Sequence, residues 1–307
     1  MTAHTIPDGV WPTMVTPFKD DGAIDYAALE PLVAWYVERG VTGLFAVCQS
    51  SEMFFLSLAE RVELSRACVR GAAGRVPVIA SGHVSNALDD QIDEVKRVAD
   101  TGVAAVVLVS NRLAREYESD DVFLSRLDRL VSALPEDVLL GFYECPVPYK
   151  RLVSPRIMSF GVESGRFGFL KDTSCSIENM CEKLRIASGS SFKLFNANAA
   201  TLLESLRAGA AGYSGVMANF HPELYVRLVA GHQQNPDEAE RLQAFLGLAS
   251  VIERQYYPVN AKHALSLYGL PVTTASRSRD PNGLTGAMKR EVAQMIAVAA
   301  RYRDELG

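Results

Sequence analysis

The feature that most limits what this chain can fold into is an alternation, repeated from the N-terminus to about residue 232, of short β-branched or apolar runs with longer stretches of helical period. Eight such runs lie at residues 10–18, 44–47, 76–80, 103–109, 138–143, 167–170, 192–195 and 213–217. Most are apolar without interruption, the pattern of parallel strands covered on both faces by helices. Between them apolar residues keep helical spacing: Leu88, Ile92, Val95 and Ala99 form one stripe, Phe123, Leu127, Leu130 and Leu134 a second, and Ile177, Met180, Leu184 and Ala187 a third. Ser57 followed by Glu60 has the form of a capping box, in which the hydroxyl accepts from a first-turn N–H and the carboxylate reaches back to the cap N–H, so a helix is predicted to begin there. Eight β-then-α units in series predict an α/β chain folded as a (β/α)8 TIM barrel, with an open doubly wound sheet as the competing arrangement.

After Asn235 and Pro236 the strand signals stop, and the remainder reads as helices near 237–255, 258–268 and 283–304, with a polar turn over 277–283. The predicted organisation is a barrel over 1–232 that holds the active site and a C-terminal three-helix appendage over 233–307, a division that 307 residues accommodate. Lys and Arg number 31 against 36 Asp and Glu, with no block of like charge, so neither nucleic acid nor an anionic membrane is an expected partner. The longest apolar runs are far too short to span a bilayer, and the first ten residues lack a basic segment followed by an apolar one. Five cysteines, Cys48, Cys68, Cys145, Cys175 and Cys181, form no C-x-x-C pair and read as reduced thiols of a cytoplasmic protein. Small molecules are the expected partners.

In such a barrel the active site lies at the C-terminal ends of the strands. The residues there, in strand order, are Thr16; Gln49, Ser50 and Ser51; His83; Asn111 and Arg112; Tyr143 and Glu144; Lys171 and Asp172; Asn196 and Asn198; Ser214 and Gly215. Hydroxyls and amides dominate, which argues against a metal centre, and His4, His83, His221, His232 and His263 are scattered. No glycine-rich phosphate loop is present, so neither a metal nor a cofactor is expected.

Lys171 closes an apolar run, where desolvation would lower its pKa and free a neutral amine as nucleophile. The alternative is a lysine that is solvated or paired with Asp172. Tyr143 ends the neighbouring strand and could shuttle protons for that amine, or could simply cap the core with its hydroxyl in water. Ser50 and Ser51, before Glu52, offer hydroxyls and backbone N–H groups to a substrate carboxylate.

Five ordered segments resemble the dihydrodipicolinate synthase and N-acetylneuraminate lyase family of class I aldolases. They are Gly9-Val-Trp-Pro-Thr-Met-Val-Thr-Pro-Phe18, Cys48-Gln-Ser-Ser-Glu52, Tyr143-Glu-Cys-Pro146, Gly168-Phe-Leu-Lys-Asp172 and Gly209-Ala-Ala-Gly-Tyr-Ser-Gly-Val-Met-Ala-Asn219. Lys171 follows Tyr143 by 28 residues, the family's register. The resemblance implies a (β/α)8 barrel, usually a homotetramer, in which Lys171 forms a Schiff base with pyruvate or another 2-oxo acid and Tyr143 assists. It implies that Ser50 contacts the 2-oxo acid carboxylate and that Ser214 and Gly215 line the pocket.

Departures from the family pattern bear on the second substrate. Gln49 stands for the first motif hydroxyl and Ser51 for its second glycine. Pro148 occupies the place of the arginine that binds the incoming aldehyde's carboxylate in dihydrodipicolinate synthases, and 111–116 lacks their relay aromatics. Asn198 stands where sialic-acid lyases often carry an acid, and Arg112 is a candidate replacement cation. Gln49, Ser51, His83 and Arg112 are the positions expected to set specificity. The resulting expectation is a Schiff-base-forming lyase or aldolase, a homo-oligomer (tetramer or dimer), acting on a 2-oxo acid. Alternatives are a 2-keto-3-deoxy sugar acid dehydratase, a 4-hydroxy-tetrahydrodipicolinate synthase, a non-catalytic 2-oxo-acid-binding barrel and a phosphate-dependent isomerase.

Overall fold

A computed structural model describes residues 6–306 of the chain; His4 lies outside them. The described residues form eight parallel strands: β1 (Gly9–Val10), β2 (Leu44–Phe45), β3 (Val78–Ala80), β4 (Ala105–Val109), β5 (Leu140–Tyr143), β6 (Phe167–Asp172), β7 (Lys193–Asn196) and β8 (Gly212–Tyr213). Their order around the sheet is β1-β8-β7-β6-β5-β4-β3-β2, and a parallel bridge between Thr13 and Phe45 brings the first and last strands together. That bridge closes the barrel and excludes the open doubly wound sheet.

Proline shortens several strands relative to their apolar runs, because it has no N–H to give to a ladder. The strand predicted over 10–18 ends at Val10; Pro12 and Pro17 interrupt it, although the Pro12 carbonyl still accepts from Phe45 N–H at 3.0 Å. The run beginning at 76 pairs only from Val78, after Pro77. The eighth run yields two strand residues before a 3-10 helix, Val216–Asn219. At the β1–β8 seam a Cβ on Gly212, whose φ is +153°, would lie 1.9 Å from the Gly9 carbonyl oxygen, so this approach requires glycine. β6 is longer than its apolar run and takes in Lys171 and Asp172.

The helices are α1 (Tyr26–Glu38), α2 (Leu58–Ala72), α3 (Leu88–Ala99), α4 (Ser110–Leu113), α5 (Asp120–Ser132), α6 (Pro155–Ser164), α7 (Ile177–Ala187), α8 (Leu202–Arg207), α9 (Pro222–Gly231), α10 (Pro236–Ala249), α11 (Val259–Leu267) and α12 (Gly286–Leu306). The Ser57–Glu60 capping box opens α2 as its spacing predicts. The first predicted C-terminal helix stops at Ala249 and continues as a 3-10 helix, Ser250–Arg254. Among the described residues no helix is long and apolar enough to cross a membrane.

The barrel interior is filled by aromatic rings. Trp11, Phe45, Phe169 and Phe195 meet at centroid distances between 4.6 and 6.0 Å, so the lumen is a packed core rather than a channel. Lys171, two residues beyond Phe169 on the same strand face, sits directly above this plug.

Candidate active site

Tyr143 and Lys171 are register partners across β5 and β6, and both are almost completely buried. The Lys171 Nζ lies 4.5 Å from the Tyr143 ring centroid and 5.9 Å from that of Phe45. Among the described residues no carboxylate forms a salt bridge with it, and burial pushes its pKa down to about 8. Desolvation disfavours the ammonium, so the amine is available near neutral pH. Burial raises the Tyr143 phenol well above 10, which keeps it protonated, and it donates to Gln49 Oε1 at 3.4 Å. The Cys145 thiol, raised to about 11, also donates to Gln49 Oε1, at 3.5 Å.

The pairing of Lys171 with Asp172 does not occur. Consecutive strand residues point to opposite faces, so Lys171 enters the barrel while Asp172 turns outward to the helices. There Lys183, from α7, bridges Asp172 Oδ2 at 2.6 Å and Glu144 Oε1 at 2.5 Å, with all three side chains at most 1% exposed. Glu144 also accepts from Val153 N–H and Thr173 N–H, each at 2.8 Å. Burial and the neighbouring Asp172 raise Glu144 to about 7. This network ties the ends of β5 and β6 together one residue beyond Tyr143 and Lys171.

The cavity above the pair has a volume of about 630 Å3. Of the residues singled out from sequence, Lys171, Tyr143, Gln49, Ser50, Asn198 and Gly215 line it together. Ser50 donates to Thr13 Oγ1 at 3.1 Å, and the Tyr257 hydroxyl beside them accepts from Asn219 Nδ2 at 3.2 Å. Asn198 lines one wall while its Oδ1 accepts from Thr201 N–H at 3.1 Å.

Four other candidates lie elsewhere. Ser51 folds back into its own loop, where its Oγ accepts from Cys48 N–H at 2.6 Å and donates to the Cys48 carbonyl at 2.7 Å, so it staples the loop and does not face the cavity. Ser214 donates to the Trp11 carbonyl at 3.0 Å and is buried in the β8–β1 seam. His83 is buried and accepts from Val109 N–H through Nε2 at 2.6 Å; burial lowers its pKa to about 4, so it is a neutral buttress of β4. Arg112 lines a separate groove with Gln91, Tyr117 and Tyr149 and donates to Asn86 Oδ1 at 2.5 Å.

Two features of the site were not singled out from sequence. Glu253, Arg254 and Tyr257 come from the segment joining α10 to α11 and close one side of the cavity. The signal available was the break Gln255-Tyr-Tyr-Pro258 between two helical stretches. The second is the anchoring of Glu52, which takes φ +62° and receives Lys262 Nζ at 2.7 Å, Ser276 Oγ at 2.8 Å, and the N–H groups of Arg277 and Ser278 at 2.7 Å. The loop carrying Gln49 and Ser50 is thereby held by the C-terminal helical segment.

The sequence profile of the dihydrodipicolinate synthetase family matches residues 7–115 and 162–298. The unmatched stretch between them holds Tyr143 and the loop after it. A 4-hydroxy-tetrahydrodipicolinate synthase from Methanosphaerula palustris is 26% identical over 269 residues, which cover 86% of this chain and 90% of the relative. Among solved structures, a dihydrodipicolinate synthase from Bacillus anthracis matches with a TM-score of 0.85 and 24% identity, covering 94% of this chain and 97% of its own. A prophage protein of the dihydrodipicolinic acid synthase family from E. coli K12, solved in complex with pyruvate, gives a TM-score of 0.85 at 20% identity, covering 96% and 98% of the two chains. These two structures share the barrel.

Proposed function

Because this chain belongs to the dihydrodipicolinate synthetase family, we propose that it is a lyase or aldolase that joins Lys171 to pyruvate or another 2-oxo acid as a Schiff base and then makes or breaks a carbon–carbon bond through the enamine. The observation that carries this reading is Lys171 itself, a buried amine without a carboxylate partner among the described residues, facing a cavity and the Tyr143 ring. A structural lysine in such a place would be paired, as Lys183 and Lys262 are.

In this reading the neutral amine attacks the 2-oxo carbon, and the protonated Tyr143 donates to the developing carbinolamine oxygen, which leaves as water. Ser50 and the surrounding loop hold the 2-oxo acid carboxylate. The iminium then acts as the electron sink for bond formation or cleavage at the adjacent carbon, and hydrolysis returns Lys171. The residues supply nucleophile, proton carrier and orientation without a cofactor. A cytoplasmic homo-oligomer remains part of the proposal, on the family resemblance and the thiol content.

A second reading, dehydration of a 2-keto-3-deoxy sugar acid, is favoured by one observation: Gln49, Asn198, Thr173 and Ser278 present uncharged polar groups around the cavity, suited to hydroxyls. It uses the same Schiff base and expels water instead of cleaving carbon.

The test is borohydride reduction in the presence of pyruvate and of longer 2-oxo acids, followed by intact-mass measurement and peptide mapping. A reduced adduct on Lys171 is expected. Folded protein that forms no adduct with any 2-oxo acid would shift the assignment to the binding-barrel or isomerase reading.

A further inference from the structure

Of the two carboxylates that line the cavity, Glu52 is held by Lys262 and the 276–278 segment, and Glu253 is left unused by these steps. Glu253, on the 3-10 helix Ser250–Arg254, lines the same cavity and is only partly exposed. No hydrogen bond or salt bridge among the described residues engages its carboxylate, in contrast to Glu52, Glu94, Glu144 and Asp172, the carboxylates buried among the described residues, which are all paired with lysine or arginine. It lies close enough to Lys171 for the two charges to interact. The groups around it are Lys171 from β6, Tyr213 from β8, Tyr225 from α9, Tyr257 and the adjacent Arg254. A carboxylate with no hydrogen-bond partner of its own can accept from a hydroxyl donor that enters the cavity, which Lys150, Arg254 and Arg279 also line.

We infer that Glu253 is the proton acceptor of the second half-reaction and that the substrate is a 2-oxo acid carrying a hydroxyl on carbon 4. The inference rests on the Schiff-base reading above. Once the 2-oxo carbon is bound to Lys171, the carbon-4 hydroxyl lies three bonds beyond it, in the cavity that Glu253 also lines. In the cleavage direction the Glu253 carboxylate takes the hydroxyl proton, the bond between carbons 3 and 4 breaks, and its electron pair enters the iminium to give the enamine. An aldehyde departs. Glu253 returns the proton to carbon 3, and water hydrolyses the resulting pyruvate iminium, replacing the water released when the iminium formed. Burial raises the Glu253 pKa above its ordinary value, which makes its carboxylate a better proton acceptor than an exposed one.

The experiment compares the full chain with Glu253→Gln and Glu253→Asp in two assays: borohydride trapping with pyruvate, and pyruvate release from 4-hydroxy-2-oxopentanoate and from 2-keto-3-deoxygluconate. The expected result is that Glu253→Gln still forms the Lys171 adduct but releases pyruvate with kcat lower by roughly 10²-fold or more. Glu253→Asp, which keeps a carboxylate, should recover part of that loss and, unlike Glu253→Gln, retain the acid limb of the pH profile. Three results overturn the inference alone: Glu253→Gln within about threefold of the parent, trapping and cleavage falling in step, or a parent that traps pyruvate yet cleaves neither compound. A parent that traps no pyruvate overturns the Schiff-base reading, and this inference with it.

Discussion

Lys171 and Tyr143 are opposite one another across β6 and β5, with the amine 4.5 Å from the centre of the phenol ring. The ring both desolvates the amine and offers its face to the ammonium, and its hydroxyl is turned to an oxygen, Gln49 Oε1, rather than to the amine. The relationship makes each residue's role separable by substitution.

Replacing Lys171 with alanine should abolish turnover by orders of magnitude and eliminate the borohydride adduct. The fold should survive, because the amine takes part in no salt bridge of the described structure. Thermal unfolding of the variant, run beside the trapping assay, checks both parts. A variant with comparable kcat would refute the covalent mechanism.

Tyr143→Phe should keep the aromatic packing with Phe45, whose ring centroid is 5.8 Å away, and remove only the hydroxyl. Turnover should fall by roughly 10²-fold or more if the phenol carries the proton. Turnover equal to the parent's would leave Tyr143 a packing residue.

The pH dependence of adduct formation should follow the amine. With the Lys171 pKa near 8, the initial rate of trapping should rise as pH increases through about 8, where the ammonium loses its proton, and level off above it. Stopped trapping from pH 6 upward measures the midpoint. A midpoint near the ordinary lysine value would mean that burial does not activate this amine.

Lys183→Met should destabilise the protein by about 3–5 kcal/mol, since it strands Glu144 and Asp172 in the interior without a cation. The loss should shrink as pH is lowered from neutrality. Carboxyls whose folded pKa is raised bind protons more tightly in the folded state than in the unfolded one, so protonation below pH 7 favours folding. Glu144, raised to about 7, already leans that way. Urea unfolding at two pH values tests the magnitude and the sign; a variant equally stable at both would show that the carboxylates had found other partners.

The barrel and the placing of Lys171 beside Tyr143 at its cavity were readable because both are written in local pattern. Uninterrupted apolar runs announce strands buried on two faces, and a lysine closing one of them stands at the mouth by position alone. Positions next to a strand end are less legible, because one residue of register decides whether a side chain meets substrate or helix. Ser50 faces the cavity while Ser51 binds its own loop, and the intrinsic chemistry of two serines does not distinguish them. His83 looked available, but its ring nitrogens are consumed by Gln91 and the Val109 N–H. Glu253 and Tyr257 escaped because they reach the cavity through tertiary folding of the C-terminal segment, which helical periodicity does not encode.

The Glu52–Lys262 pair has a consequence for how such a chain can be recombined. It joins the loop that follows β2 to α11, 210 residues away in sequence, inside a site almost without solvent. A chimera that imports the C-terminal helices from another barrel, or discards them, leaves a buried carboxylate without its cation at the base of the very loop that carries Gln49 and Ser50. The inheritable unit is therefore discontinuous: residues 48–52 and 253–278 have to travel together, and any exchange of specificity between members of this fold would be expected to move them as one cassette.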